Sequence, residues 1–192
     1  MRDRSGNKID DVECAEMLRD MLRSKKTIAT RDWSATRFGE TTGAVECIAD
    51  GLGSNSTLLK IDLSNCALGD GGVSTLAQTL GSRNTTLEKL TIENTITSTG
   101  VGALLEAMEQ SHHITELGLQ MNPIGNEGAS RLARAMKNNA LPNLTRLSLH
   151  NCGIHNDGFI ALVSALEQNT TVLYLDLRDN YHVSEPAFLA LA

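Results

Sequence analysis

Apolar and polar residues alternate in short segments that return along the chain at nearly constant intervals. The segments "LLKIDLSNC", "LEKLTIENT", "ITELGLQMN", "LTRLSLHNC" and "VLYLDLRDN" begin at residues 58, 87, 114, 144 and 172, so successive offsets are 29, 27, 30 and 28. Each segment fits one template, apolar-x-x-apolar-x-apolar-x-x, followed by Asn, Cys or Thr. Alternation with a period of two predicts a strand whose apolar side chains share one face.

A second periodicity follows each of the first four segments and predicts a helix. Apolar residues recur four positions apart, which places them on one helical face. These pairs are Leu76 and Leu80, Leu104 and Met108, Leu132 and Met136, and Leu162 and Leu166. Glycines such as Gly69, Gly125 and Gly153 lie between strand and helix and predict a tight turn. The ninth template residue, for example Asn122, is expected to bond backbone groups where the chain leaves the strand.

The N-terminal part carries weaker copies of the pattern. Ile28, Trp33, Thr36, Phe38 and Gly39 fit the template, although Arg31 occupies an apolar position, and Ile48 and Leu52 supply the helix pair. Before them, "IDDVECAEMLRDMLRSKKT" predicts a helix with Leu18 and Leu22 in register and charged residues elsewhere. A charged outer surface is typical of the cap of a repeat array. We therefore expect a capping helix in residues 1–27, continuous with about six repeats in residues 28–192, the last of them truncated.

These strand–turn–helix units resemble the leucine-rich repeat of the ribonuclease-inhibitor-like subfamily. The resemblance covers about residues 9–192, and "NPIGNEGASRLARAM" at 122–136 is similar to the turn and helix consensus of that subfamily. It implies an α/β fold, a leucine-rich repeat solenoid that forms a horseshoe segment. A parallel β-sheet would line its concave face and α-helices would cover its convex face.

The resemblance also implies a non-enzymatic module that binds a protein through the concave face. The residues predicted to bind a partner occupy the outward strand positions and the residues just after each strand. They are Lys60, Asp62, Lys89, Glu93, Glu116, Gln120, Met121, Arg146, His150, Tyr174, Asp176 and Arg178. One column of these positions runs Ser64, Glu93, Gln120, His150, Arg178, and its charge changes from acidic to basic. Such a gradient would orient a partner. Tyr174, Arg178 and Met121 are the expected anchors.

Composition and charge restrict the classes of partner that we expect for this chain. With 17 Lys and Arg against 23 Asp and Glu, the net charge is −6, which disfavours a nucleic-acid partner. The sequence lacks a run of about eighteen apolar residues, so we expect no membrane span. The N-terminal segment "MRDRSGNKIDDVECAEM" lacks the apolar region of a secretory signal. A cytoplasmic location is therefore expected.

The register of the repeats disfavours a metal-binding or catalytic role for the motifs that could carry one. "HNCGIH" at 150–155 contains two histidines and a cysteine, but the register sends His150 to the sheet face, Cys152 to the core and His155 to the turn, so we expect no metal site. "DGLGSNST" at 50–57 lacks the strand and lysine of a phosphate-binding loop, and Gly51 and Gly53 are expected to end a helix. The cysteines are expected to be small buried residues. Neither a catalytic group nor a cofactor is predicted.

Two alternatives remain open. The repeats look similar to those of the Ran GTPase-activating protein, which stimulates an enzyme in trans, although the long acidic C-terminal tail of that family does not occur in this chain. The second alternative is an assembly subunit that stacks through its apolar C-terminal end, where Phe188, Leu189 and Leu191 lie close together. An exposed apolar end favours self-association or a place in a larger complex.

Overall fold

Helices and strands alternate strictly along the chain. The computed structural model describes residues 12–24, 29–36, 43–180 and 183–184. The described residues form α1 (Val12–Arg23), β1 (Thr30–Asp32), α2 (Ala44–Ser54), β2 (Lys60–Asp62), α3 (Gly69–Ser82), β3 (Lys89–Thr91), α4 (Ser98–Gln110), β4 (Glu116–Gly118), α5 (Gly125–Lys137), β5 (Arg146–Ser148), α6 (Asn156–Leu166) and β6 (Tyr174–Asp176).

The strands form one parallel sheet in the order β1-β2-β3-β4-β5-β6, with each strand beside its neighbours in sequence. Equivalent template residues pair across the sheet: Ile61 with Leu90, Leu90 with Leu117, and Leu117 with Leu147. A helix connects each strand to the next, as parallel pairing requires. The predicted α/β leucine-rich repeat solenoid is therefore confirmed.

The core lies between the sheet and the helices and is almost entirely aliphatic. The central strand residues Leu117 and Leu147 and the helical residues Leu104, Leu132 and Leu162 are all buried. The two periodicities of the sequence thus meet in one continuous layer, because the apolar side of each strand faces the apolar side of the following helix.

A buried amide closes the turn after β4. Nδ2 of Asn122 donates to the carbonyl oxygens of Ile92 and Leu119 at 2.6 and 2.9 Å. Its Oδ1 accepts from the backbone N–H groups of Thr95 and Ile96 at 2.7 and 2.9 Å. The expected role of the ninth template residue is confirmed, and the bonds connect one repeat to the preceding one.

The equivalent residues of three other repeats act in the same way, whereas the hydroxyl oxygen of Thr95 is buried and has no hydrogen-bond partner within the described residues. Asn180 bonds the carbonyl of Leu149 and the N–H groups of Cys152 and Ile154. The thiols of Cys66 and Cys152 each donate to a carbonyl of the preceding repeat at 3.1 Å. Cysteine thus replaces asparagine as a donor, and both thiols are fully buried.

A second set of asparagines joins each helix to the next repeat. Nδ2 of Asn84 donates to the carbonyl of Leu52 at 2.8 Å, and Oδ1 accepts from the N–H groups of Thr86 and Leu87. Asn55, Asn143 and Asn169 donate to the preceding repeat in the same way. These four residues are the asparagines of Asn-x-Ser/Thr sequences, and their amide nitrogens already serve the fold.

The N-terminal repeat forms a strand despite its polar sequence. β1 pairs in parallel with β2 although Arg31 occupies an apolar template position, and Trp33 and Thr36 are buried at 2% and 1% exposure. Ile28, Phe38 and Gly39 lie outside the described residues. In α1, Leu18 and Leu22 are buried, as the register predicted.

One expectation about this region is wrong. A helix does end within residues 50–57, as expected, but Gly51 and Gly53 do not terminate it, because both lie inside α2, which continues to Ser54. A Cβ atom on Gly51 would lie 2.9 Å from Cδ1 of Leu22. The glycine is therefore needed where α1 packs closely on α2, and this contact is not visible in the local sequence.

Candidate protein-binding face

The sheet presents one face away from the helices, which we call the concave face. All the residues predicted to bind a partner lie in a strand or within three residues after one. Those exposed are Lys60, Met121, Arg146, Tyr174 and Arg178. Those half-buried are Asp62, Lys89, Glu93, Glu116, Gln120 and His150. Asp176 is buried.

The burial of Asp176 corrects its expected exposure. Asp176 is only 7% exposed because the guanidinium of Arg178 lies over its carboxylate. The distance from Nε of Arg178 to Oδ1 of Asp176 is 2.9 Å, and that from Nη2 to Oδ2 is 2.7 Å. Hydrogen bonding to Arg178 lowers the pKa of Asp176. Ser64, which the column also placed at the surface, is 4% exposed, and Thr91 at an outward position of β3 is 7% exposed. A partner at these positions would therefore contact their longer neighbours first.

The column from Ser64 to Arg178 contains residues that contact one another rather than isolated charges. Nε2 of Gln120 donates to Oε1 of Glu93 at 2.8 Å, and the hydroxyl of Ser64 accepts from the Glu93 N–H at 3.2 Å. Burial and the charge of Asp62 raise the pKa of Glu93, against an opposing effect of His150. Nδ1 of His150 lies 3.4 Å from Oδ2 of Asp179. The side chains of Glu93 and Gln120 are thus bonded to each other before any partner binds, whereas Nδ1 of His150 makes no hydrogen bond within the described residues.

A second row crosses the beginnings of the strands. Nζ of Lys89 lies 3.2 Å from Oε2 of Glu116, and the guanidinium carbon of Arg146 lies 4.4 Å from the centroid of the Tyr174 ring. Both pairs join residues that are direct partners in the sheet register. A cation over an aromatic face is attracted to it, so Tyr174 is held with one side available to solvent.

A recess of about 130 Å³ opens between the column and this row. We call it the Gly118 recess, because Gly118 is among the residues that line it. Its lining includes Thr91, Gln120 and Ser148, with Lys89, Glu116, Arg146 and Tyr174 at its edge. Gly118 occupies an outward strand position, but the register alone does not predict the recess. The available signal was that β4 has glycine where β2, β3, β5 and β6 have Asp62, Thr91, Ser148 and Asp176.

An exposed apolar residue beside the face was also missed. Leu173, immediately before β6, is 82% exposed. It occupies the second template position, which the other repeats fill with Leu59, Glu88, Thr115 and Thr145. The second template position was not among the positions assigned to the predicted face, so Leu173 was left out.

The histidines and cysteine of "HNCGIH" separate as the register predicted. His150 lies on the concave face, Cys152 is buried in the core, and His155 is exposed immediately before α6. Within residues 12–24, 29–36, 43–180 and 183–184, no three His, Cys, Asp or Glu side chains are grouped as metal ligands would be. Burial raises the pKa of Cys66 to about 12 and that of Cys152 to about 11.

Comparison with known proteins identifies the repeats. Residues 54–77, 110–133 and 140–163 match the family description "Leucine Rich repeat". The human "NACHT, LRR and PYD domains-containing protein 3" is 35% identical over 130 residues, which are 67% of this chain and 12% of that protein. The chain thus spans about an eighth of the length of this curated relative.

Solved structures share the fold at low sequence identity. The tropomodulin C-terminal domain of Caenorhabditis elegans superimposes with a TM-score of 0.51 at 15% identity, covering 92% of this chain and 88% of that one. A TLR13–ssRNA13 complex gives a TM-score of 0.53 at 23% identity, covering 85% of this chain and 20% of that one. At these identities the likeness shows the architecture alone. None of the helices in the described part of the chain has the length and apolar character that spanning a membrane requires.

Proposed function

This chain is a leucine-rich repeat protein, and we propose that it is a non-enzymatic module that binds a protein partner through the concave face. The observation that carries the proposal is the arrangement of exposed, chemically mixed side chains on successive strands in register. Such a row offers one continuous surface. A stable complex would bury roughly 800 Å² of it on this side.

The contacts within the face support this proposal. Gln120 is bonded to Glu93, Lys89 to Glu116, and Arg146 lies over Tyr174. Side chains that are already ordered lose little conformational freedom when a partner binds, so more of the contact energy appears as affinity.

The exposed side chains are of the types that dominate protein interfaces. Tyr174 is 42% exposed and Met121 is 49% exposed, and Arg178 extends into solvent from Asp176. Tyrosine, arginine and methionine are enriched in interfaces, and tyrosine and arginine in their energetic centres. We propose these three residues as the anchors, with Lys60 and Arg146 contributing charge at the edge.

Affinity capture with two matched variants tests the proposal. The concave variant carries Lys60→Ala, Arg146→Ala and Tyr174→Ala, and the convex control carries Gln78→Ala, Arg134→Ala and Lys137→Ala. All six residues are exposed, and each variant loses two positive charges. Glu93 and Arg178 are kept, because their removal would leave Gln120 and Asp176 without their partners.

The proposal expects a protein that wild type and the convex control capture from native lysate and that the concave variant does not. A protein that the concave variant retains and the convex control loses would place binding on the helices and contradict the proposal. Both variants should keep the circular dichroism spectrum and melting temperature of wild type. The measured difference then reports binding rather than folding.

Several finer points stay predictions. The ribonuclease-inhibitor-like subfamily, the cytoplasmic location and the exclusion of nucleic acid and membrane as partners are expectations from sequence. The division at residue 27 and the GTPase-activator alternative are likewise expectations. The assembly alternative depends on Phe188, Leu189 and Leu191, which lie outside the described residues.

A further inference from the structure

We infer that the Gly118 recess receives one primary carboxamide side chain, an asparagine or glutamine, presented by the protein partner. The inference rests on the proposed function and names the chemistry that one point of the concave face selects. It is argued from the shape of the recess, its hydrogen-bonding groups and its charge balance.

The shape follows from the glycine. A Cβ atom on Gly118 would lie 2.8 Å from Oε1 of Gln120 and 3.0 Å from Cγ2 of Thr91, so these two side chains reach over the glycine and a larger residue there would displace them. The neighbouring strands carry Thr91 and Ser148 at the same register position. The face is therefore interrupted at β4 by a recess of about 130 Å³, the size of one small side chain rather than of a helix or strand.

The hydrogen-bonding groups call for both a donor and an acceptor. Oε1 of Gln120 is buried and has no hydrogen-bond partner within the described residues. Nε2 of the same amide donates to Glu93, which fixes the orientation that turns Oε1 toward Gly118. A donor that enters beside Gln120 and Thr91 would satisfy this oxygen while Nε2 keeps its bond to Glu93. The hydroxyls of Thr91 and Ser148 can each donate or accept, and a carboxamide offers two N–H donors and one carbonyl acceptor.

The charges and hydrogen-bonding groups around the recess disfavour an ion. A guest cation would approach Lys89 and Arg146. A guest carboxylate would be attracted by Arg146, but it has no donor for Oε1 of Gln120 and would approach the carboxylate of Glu93. Lys89 already pairs with Glu116 at 3.2 Å, so neither residue supplies an unpaired counter-charge. Removing a charged group from water costs far more than removing an amide whose hydrogen bonds are replaced. A neutral guest that both donates and accepts satisfies these conditions.

A displayed library of disulfide-constrained peptides, selected on the full chain, supplies defined probes. Recovered peptides are synthesised, and their Kd values are measured by fluorescence anisotropy on wild type, Gly118→Ala and Gly102→Ala. Gly118 has no positive φ, and the atoms its Cβ would meet belong to side chains. Gly102→Ala is the matched control on α4, where the new Cβ would meet only the guanidinium of Arg131 within 4 Å.

The inference expects recovered peptides to share an Asn or Gln at one position. Their affinity should fall at least tenfold on Gly118→Ala and stay unchanged on Gly102→Ala. Replacing the shared Asn by Asp in the peptide, measured on wild type, should cost a similar factor. This second measurement does not depend on how Gly118→Ala folds.

Other outcomes overturn the inference in distinguishable ways. Peptides that share a Lys, Arg, Ser or apolar residue would show that the recess selects a different side chain. Peptides that bind Gly118→Ala as tightly as wild type would show that the recess selects no side chain. If those peptides still lose affinity for the Lys60, Arg146 and Tyr174 variant, the concave face stands and only the recess is wrong. If binding survives that variant too, the proposed function fails together with the inference. If no peptide is recovered, the inference fails alone, because affinity capture of the protein partner tests the proposed function independently.

Discussion

The guanidinium of Arg178 covers the carboxylate of Asp176 through two hydrogen bonds, at 2.9 and 2.7 Å. One end of this pair is buried and the other is exposed, since the two side chains are 6% and 74% accessible. A partner that binds Arg178 therefore binds a side chain that also stabilises the fold. Mutating Arg178 tests stability and binding together, and the two effects have to be separated.

The pair predicts a pH-dependent stability. Arg178 holds the pKa of Asp176 below its ordinary value of 3.8, so the stabilisation is present above about pH 4 and is lost as the pH falls through the lowered pKa. We expect Arg178→Ala to unfold at a lower urea concentration at pH 7 and to lose less additional stability on acidification. Equal pH dependence in wild type and Arg178→Ala would contradict this account. Arg146→Ala, which removes an exposed cation without exposing a carboxylate, is the control.

Removing the side chain of Asn122 is expected to lower the free energy of unfolding more than removing that of Arg178, and by an amount that does not depend on pH. Asn122→Ala would leave the carbonyl of Ile92 and the N–H groups of Thr95 and Ile96 without their side-chain partner in the core. We expect a loss of about 3 kcal/mol in the free energy of unfolding, because each unsatisfied buried group costs about 1–3 kcal/mol. Urea denaturation measures it.

The chain itself offers the matched control for this substitution. Cys66 and Cys152 occupy the equivalent position and donate to the preceding repeat through their thiols. Asn122→Cys keeps a donor to the Ile92 carbonyl but loses the amide oxygen that Thr95 and Ile96 use. It should therefore lose less stability than Asn122→Ala. If both substitutions cost the same, the side-chain donor contributes nothing measurable.

Asp70 predicts that an amide can replace a carboxylate at a helix start. Its Oδ1 accepts from the N–H groups of Thr97 and Gly100 at 2.8 and 3.0 Å, at the beginning of α4. Oδ1 of Asn126 does the same for the N–H groups of His155 and Gly158, at the beginning of α6. We expect Asp70→Ala to cost about 1 kcal/mol, as the loss of a helix cap does. Asp70→Asn should cost much less.

The two Asp70 variants also differ in their response to acid. Burial opposes the ionisation of Asp70, but its hydrogen bonds with Thr97 and Gly100 outweigh that effect and lower its pKa. The contribution is therefore present above the ordinary value of 3.8 and lost below it. Thermal unfolding at pH 7 and below pH 4 should show a smaller acid loss in Asp70→Asn than in wild type. An unchanged acid loss would assign that pH dependence to other groups.

Buried thiols predict a reactivity order. Burial raises the pKa of Cys66 to about 12 and that of Cys152 to about 11, so almost no reactive thiolate forms at pH 8. Cys47 is half-buried and should react with iodoacetamide before Cys66 or Cys152 does. Because the unfolded thiol ionises near pH 9, these two cysteines should also reduce stability as the pH rises above that value. Peptide mass spectrometry after labelling gives the order, and native labelling of Cys66 at the rate of Cys47 would contradict it.

The repeat pattern predicted most of the architecture because each position has a local cause. Alternation identified Leu117 and Leu147 as buried strand residues, and spacing by four identified the buried faces of the helices. The polar residue after each strand was assigned to backbone bonding, and Asn122 makes those bonds. These features depend on short stretches of chain and repeat at every turn of the solenoid.

The features that sequence did not predict depend on residues about thirty positions away or on paired side chains. Gly51 is required by Leu22, which belongs to the preceding repeat. Asp176 was assigned to the surface from its strand position, and its burial results from the cover that Arg178 provides. The recess at Gly118 depends on Gln120 and Thr91, whose side chains reach over the glycine. Template register identifies which side of the sheet a residue occupies, but not how far its neighbours extend over it.

Site-specific photo-crosslinking tests the central claim most directly. A photoreactive benzoylphenylalanine is placed at Tyr174 on the concave face in one protein and at Gln78 on the convex face in another, since both side chains are exposed. The account predicts that the protein captured by wild type forms a crosslink from position 174 and none from position 78. A crosslink to that protein from position 78 alone would contradict binding through the concave face.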